Sequence, residues 1–193
     1  RGLEMRTMHR VIGKLPEGRA DNRFSNTGTY YYDDLKQAYS YPAVNSTITV
    51  KGKQVPFDGT GVTLGVIMAG NALSTDIKLL FDHENYSTVT GKRDPALFKR
   101  VPINGGASFA KGEACEVSLD VQQELTGAPG SHVILYNLPD LGEETILDGY
   151  IRIMEDNEVD AVSASFGACE ALYLPKYNGG QSFVQTLWIY HEI

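Results

Sequence analysis

Glu116 and Asp120 stand four residues apart in EVSLDVQQEL (116–125), a run that also carries Val117, Val121 and Leu125 at helical spacing. Both carboxylates therefore share one face of a predicted helix. Two like charges at that spacing repel, and the unpaired N–H groups of the nearby helix N-terminus partly offset the repulsion. A carboxyl pair held in this way can share a proton. One member then stays basic while the other orients it, which is what general-base chemistry needs. The same spacing also describes a solvated acidic face in the first turns of a helix, and the pair alone does not choose between the two.

The elements that must position this pair follow from periodicity and punctuation. VTLGVIMAG (62–70) is a continuous apolar run ending in Gly, the pattern of a strand buried on both faces. Ser74 is placed to cap a helix bearing Ile77, Leu80 and Phe81. LFKRVPIN (97–104) reads as a short strand and GGASFAKGEA as a loop before the 116–125 helix, which Gly127, Pro129 and Gly130 stop. SHVILYNLP (131–139) is a strand, EETILDGYIRIMEDN (143–157) a helix and VDAVSASFG (159–167) a strand. Upstream, TITVKGKQVPFDGTG alternates and breaks at Asp58-Gly59 and Gly61, which predicts a small hairpin. YYYDDLKQAYSYP (30–42) carries a short helical turn around Leu35 and Ala38, and FVQTLWIYHEI at the C-terminus reads as the start of another helix.

Strand and helix alternating at this spacing predict a single α/β domain, with a mostly parallel sheet covered by helices on both faces. In such sheets the reacting groups gather at the carboxyl ends of the strands. The segments 68–74, 113–120 and 165–170 meet that condition. Residues 1–28 are polar, rich in Gly, Asn and Arg, and read as a leader or propeptide-linker remnant, leaving 29–193 as the domain proper. A start at Arg1 with no signal-peptide pattern suggests a processed piece.

Composition narrows the function classes. Hydrophobic residues make up 42% and charged residues 21% of the 193, as in an ordinary globular chain. A net charge of -7 supplies no basic stripe for phosphates, so no nucleic-acid partner is expected. No apolar run is long enough to span a bilayer, so no membrane partner is expected either. No Gly-x-Gly-x-x-Gly or Gly-Lys-Thr loop follows a strand, which disfavours nucleotide binding.

Four segments together resemble the sedolisin or kumamolisin family of serine-carboxyl peptidases. GEACEVSLDVQQELTGAPGSHVILYNLP is similar to that family's E-x-x-x-D helix, Pro-Gly turn and apolar strand. VDAVSASFGACE resembles its S-x-S-W-G-x-x-E strand, TGVTLGVIMAG its first buried strand, and YYYDDLKQAYSYP a segment near the start of the mature domain. They occur in the family's order and cover about residues 30–193. The resemblance implies a subtilisin-like three-layer fold, incomplete at the C-terminus, with a carboxylate in place of the histidine of the Ser-His-Asp arrangement. It implies Glu116 as general base and Asp120 as the group that orients it. It implies Ser165, Phe166 and Gly167 as a strand edge that pairs with an extended peptide substrate.

Such enzymes suit acidic media and exported or secreted settings. They are made with a propeptide and carry calcium late in the catalytic domain. For this chain that implies no cofactor and no metal of its own, a calcium ion belonging to a missing C-terminal half, and as partners a peptide or protein substrate, the propeptide and that missing half. The nucleophile's Gly-Thr-Ser motif and the oxyanion Asp do not occur between Arg1 and Ile193, so these residues alone are expected to be inactive. Where relatives extend the hydrogen-bond chain with Glu and Trp, this sequence has Met68 and Phe166, neither of which continues it. That departure keeps a second reading open, a non-catalytic peptide-binding relative. An unrelated α/β domain binding a small molecule is a third.

The other features point to little chemistry. Cys115 and Cys169 form no metal pair and read as two buried thiols, with a disulfide as the alternative. His9, His83, His132 and His191 are scattered without metal spacing, and Asn45-Ser46-Thr47 and Asn85-Tyr86-Ser87 match the glycosylation pattern. Neither Ser108 nor Ser118 is expected to act as nucleophile, because Ser118 is two positions from Glu116 and faces elsewhere on the helix.

Overall fold

A computed structural model describes residues 38–41, 46–83, 95–108, 114–167, 169, 171 and 174–177. The expected leader, most of the 30–42 turn, the C-terminal helix and both glycosylation asparagines lie outside them. The described residues up to Phe166 belong to one compact unit, and those from Gly167 onward to a second.

In the first unit the chain forms a hairpin of β1 (Thr47–Val50) and β2 (Lys53–Pro56), paired antiparallel. Its turn is Lys51-Gly52, with φ of 50 and 78. Two successive positive φ values match the right-handed twist of the flanking strands, so the sheet stays paired through a two-residue loop. The expected break at Asp58-Gly59 is a turn, closed by the Val62 N–H on the Gly59 carbonyl at 2.9 Å, and also a tie. Asp58 is buried, its carboxylate accepts from the Thr60 N–H at 2.9 Å and the Thr60 hydroxyl at 2.6 Å, and its carbonyl accepts from the Gly130 N–H.

The main sheet has four strands, β3 (Thr63–Ala69), β4 (Phe98–Pro102), β5 (His132–Leu138) and β6 (Ala161–Ala164), in the order β4-β5-β3-β6. All three pairings are parallel. The fold is α/β with a parallel sheet, and helices cover both of its faces. β3 and β5 are central, which is why both are nearly continuous apolar runs buried on two sides.

Alternation along β3 sends Val66 and Met68 to one face, where they join Val133 and Leu135 of β5. Helix α1 (Ser74–His83) delivers Ile77 to this cluster, and α2 (Ala114–Gly127) delivers Val117, Val121 and Leu125. Ile67 and Leu138 point the other way, toward α3 (Glu143–Asp156). Gly149 lets that helix approach closely, since a Cβ there would stand 2.7 Å from Ile67 Cδ1 and 2.8 Å from Leu138 Cδ2. Tyr136 lies on the same face, and burial, followed by the carboxylates of Asp156 and Glu158, pushes its hydroxyl up to about 12. Asn157, at φ 48, caps α3 and returns the chain to β6.

Two local expectations change. The Leu73 carbonyl accepts from the N–H groups of Asp76 and Ile77, so Leu73 holds the cap position of α1. Ser74 is already helical, and its hydroxyl accepts from Arg100 Nη2 at 3.3 Å. β6 is shorter than the sequence suggests, because it is an edge strand paired only with β3, and the pairing stops at Ile67↔Ala164. Ser165, Phe166 and Gly167 therefore lie just beyond the strand. Among the described residues no helix is long and apolar enough to cross a membrane.

In the second unit, Leu174–Tyr177 form a turn closed by the Tyr177 N–H on the Leu174 carbonyl at 2.9 Å.

Candidate active site

The rotation of α2 is fixed by its apolar stripe. Val117, Val121 and Leu125 are fully buried against the sheet. Glu116, Asp120 and Glu124 each precede one member of that stripe, so they form a second stripe about 100° around the helix, at the boundary between core and solvent. Glu116 and Glu124 are half-buried, whereas Asp120 is only 8% exposed. Asp is the shortest acidic side chain, so its carboxyl stays near the helix backbone where the longer glutamates can reach outward.

The segment after β6 completes the site. The Ser165 hydroxyl donates to Asp120 Oδ1 at 2.9 Å, across 45 positions of sequence. Asp120 Oδ2 is buried and has no hydrogen-bond partner among the described residues. Because β3, β5 and β6 are parallel, Ser165 marks the carboxyl edge of the sheet.

The electrostatics around Asp120 act in opposed directions, with a net rise. Burial raises the pKa of Asp120, the Ser165 hydrogen bond opposes that rise, and the charge of Glu116 adds to it. Glu124 is raised as well, by burial first and then by Asp120. A carboxyl whose ionisation is disfavoured by burial is suited to donating a hydrogen bond.

A second set of bonds organises the same edge nearer to β4. Arg100 donates from Nε to Asn71 Oδ1 at 3.0 Å and from Nη2 to the Ala72 carbonyl at 2.5 Å, tying the loop after β3 to β4. The Ala107 N–H donates to the side-chain oxygen of buried Asn137, which holds the loop after β4 against the end of β5.

The expected residues are therefore placed unequally. Glu116 and Asp120 share a helix face and interact, and Ser165 joins them through its side chain. Phe166 packs against the apolar cluster that contains Met68, so both residues that depart from the family pattern are part of the core. Gly167 is exposed and belongs to the second unit. Cys115 and Cys169 are free and exposed, neither buried thiols nor a disulfide, and position 115 lies off the buried stripe of α2. Among the described residues no group of three or more His, Cys, Asp or Glu side chains could hold a metal ion.

No protein-family model matches the chain, and no curated protein sequence does. Among solved structures it is similar to a Pseudomonas sedolisin, a serine-carboxyl proteinase complexed with two molecules of pseudo-iodotyrostatin. The match has a TM-score of 0.45 and 19% identity over 67% of this chain. The chain spans 35% of that protein's length.

Glu124 was within reach of sequence reasoning, since it continues the i, i+4 spacing of Glu116 and Asp120 by one more turn. The Ser165 contact was not, because only the folded sheet brings residues from α2 and β6 together.

Proposed function

We propose that the protein is a serine-carboxyl endopeptidase hydrolysing peptide bonds of peptide or protein substrates at acidic pH. The observation that carries this reading is the buried Asp120 carboxyl beside Glu116 on one helix face, hydrogen-bonded by Ser165 at the carboxyl edge of a parallel sheet. The sequence resemblance of that helix supports it.

In this reading Glu116 accepts the proton of a serine hydroxyl as the serine oxygen attacks the scissile carbonyl carbon. Asp120 keeps its own proton and orients Glu116. The proton on Glu116 passes to the leaving amine as the tetrahedral intermediate collapses to an acyl-enzyme, and water then releases the acid product by the same base. The serine lies outside these residues, as would any calcium site. A propeptide partner and an exported, acidic setting belong to the same proposal.

A non-catalytic, peptide-binding relative is the second reading, favoured by Met68 and Phe166 being packed into the core instead of extending the carboxylate chain. Replacing Glu116 by Gln in the complete protein separates the two. The peptidase reading expects hydrolysis of an unstructured peptide at acidic pH to vanish while the circular dichroism spectrum stays unchanged. Hydrolysis retained by E116Q contradicts it. Peptide binding without turnover by the unaltered protein supports the second reading.

A further inference from the structure

Ser165 is exposed as a residue, yet its hydroxyl points inward to Asp120 Oδ1 at 2.9 Å. An exposed serine ordinarily bonds water, so a side-chain bond reaching across 45 positions fixes one geometry among many. On the acceptor side, the carboxyl plane of Asp120 has one oxygen committed to Ser165 and one buried oxygen with no partner among the described residues. A carboxyl group anchored at one oxygen can no longer rotate to exchange its two oxygens without breaking that bond.

We propose that Ser165 is a positioning residue of the carboxylate site: its hydroxyl locks the carboxyl plane of Asp120 so that Oδ1 is the anchored oxygen and Oδ2 is left as the oxygen the site uses. In the reaction this rests on the peptidase reading, where an oriented Asp120 sets the direction from which Glu116 accepts the serine proton. It reassigns Ser165 from the substrate edge to the carboxylates. Among the described residues the core side is apolar: α1, β3 and β5 turn Ile77, Val66, Met68, Val133 and Leu135 toward α2, and the charge acting on the group is that of Glu116 on its own helix.

The direction of the effect follows from the hydrogen bond. Ser165 donates to Asp120 and so favours its ionised form, opposing burial and Glu116. Without the hydroxyl, Asp120 holds its proton to higher pH. Because Ser165 is exposed, loss of one oxygen leaves the fold intact.

The test uses the complete protein as wild type, Ser165→Ala and Ser165→Thr. Site-resolved NMR titration of the Asp120 carboxyl carbon is the first readout. The expected result is an upward shift of its midpoint in S165A that S165T reverses. An unchanged midpoint in S165A overturns the proposal, whatever the protein's activity. The second readout is peptide hydrolysis, where S165A is expected to lose about tenfold in kcat with KM held, the size of one net hydrogen bond. A shifted titration with kcat and its pH profile unchanged overturns the role in the reaction. Absence of hydrolysis in the wild type counts against the peptidase reading alone, since the titration still decides whether Ser165 positions Asp120.

Discussion

Among the described residues Asp120 has a buried carboxyl oxygen without a partner, a serine hydroxyl on its other oxygen and a glutamate one turn away, three conditions that act on the same group. Such a group works best neutral. Replacing it by Ala removes both the oxygen that Ser165 donates to and the carboxyl that orients Glu116. For D120A we expect kcat for peptide hydrolysis to fall by about 10–100-fold, the size of one or two hydrogen bonds, with an unchanged circular dichroism spectrum. A loss of less than about threefold would show that Asp120 does not orient the base. The pair was legible in the sequence because i, i+4 spacing is a local rule, and Glu124 obeys the same rule. What spacing could not reveal was the asymmetry. Asp120 is buried and Glu116 half-buried because the residues after β6 bring Ser165 to the shorter side chain.

The carboxylates are aimed by the stripe beside them. Leu125 is fully buried in the same cluster as Val117 and Val121, and truncating it leaves a cavity under the C-terminal half of α2. L125A is expected to cost about 2–5 kcal/mol in urea unfolding. Gly59 holds the other end of this layer. Its φ is +87, and a Cβ there would stand 2.8 Å from Ala128 Cβ and 3.1 Å from Ser131 Cβ, so G59A combines a left-handed backbone with a collision. It is expected to cost about 1–3 kcal/mol by the same measurement, and a neutral result would mean that the Asp58–Thr60 tie relaxes freely.

Strand and helix identities were readable from apolar periodicity, most clearly for β3, β5 and α3. The boundaries were less so. Ser74 looked like a cap, but Arg100 engages its hydroxyl while the Leu73 carbonyl starts the helix. The end of β6 depends on how far its single neighbour runs, which no property of VDAVSASFG encodes.

Taken together, the carboxyls make the molecule respond to acid in a definite direction. Asp120 and Glu124 have folded-state values above their ordinary 3.8 and 4.5, so the folded protein binds these protons more tightly than the unfolded chain. Their contribution to stability is full below those ordinary values and is lost as pH rises through the raised ones. Lowering the pH from neutral toward about 4 is therefore expected to raise the urea midpoint, and D120N to flatten that dependence. A D120N protein with the wild-type slope would contradict the assignment. The parallel α/β arrangement that holds these groups was legible from the alternation of strands and helices, whereas the order β4-β5-β3-β6 was not, because every neighbour of β3 is distant in sequence.

The most direct test of the carboxylate pair is the pH–rate profile of peptide hydrolysis by the complete protein. A base that must be ionised beside an acid that must stay protonated gives a bell-shaped profile. The expected result is a maximum of kcat/KM below neutrality, whose alkaline limb moves up in S165A and which E116Q abolishes. Hydrolysis that keeps rising through neutral pH, or that E116Q leaves in place, would show that Glu116 and Asp120 are not the catalytic pair.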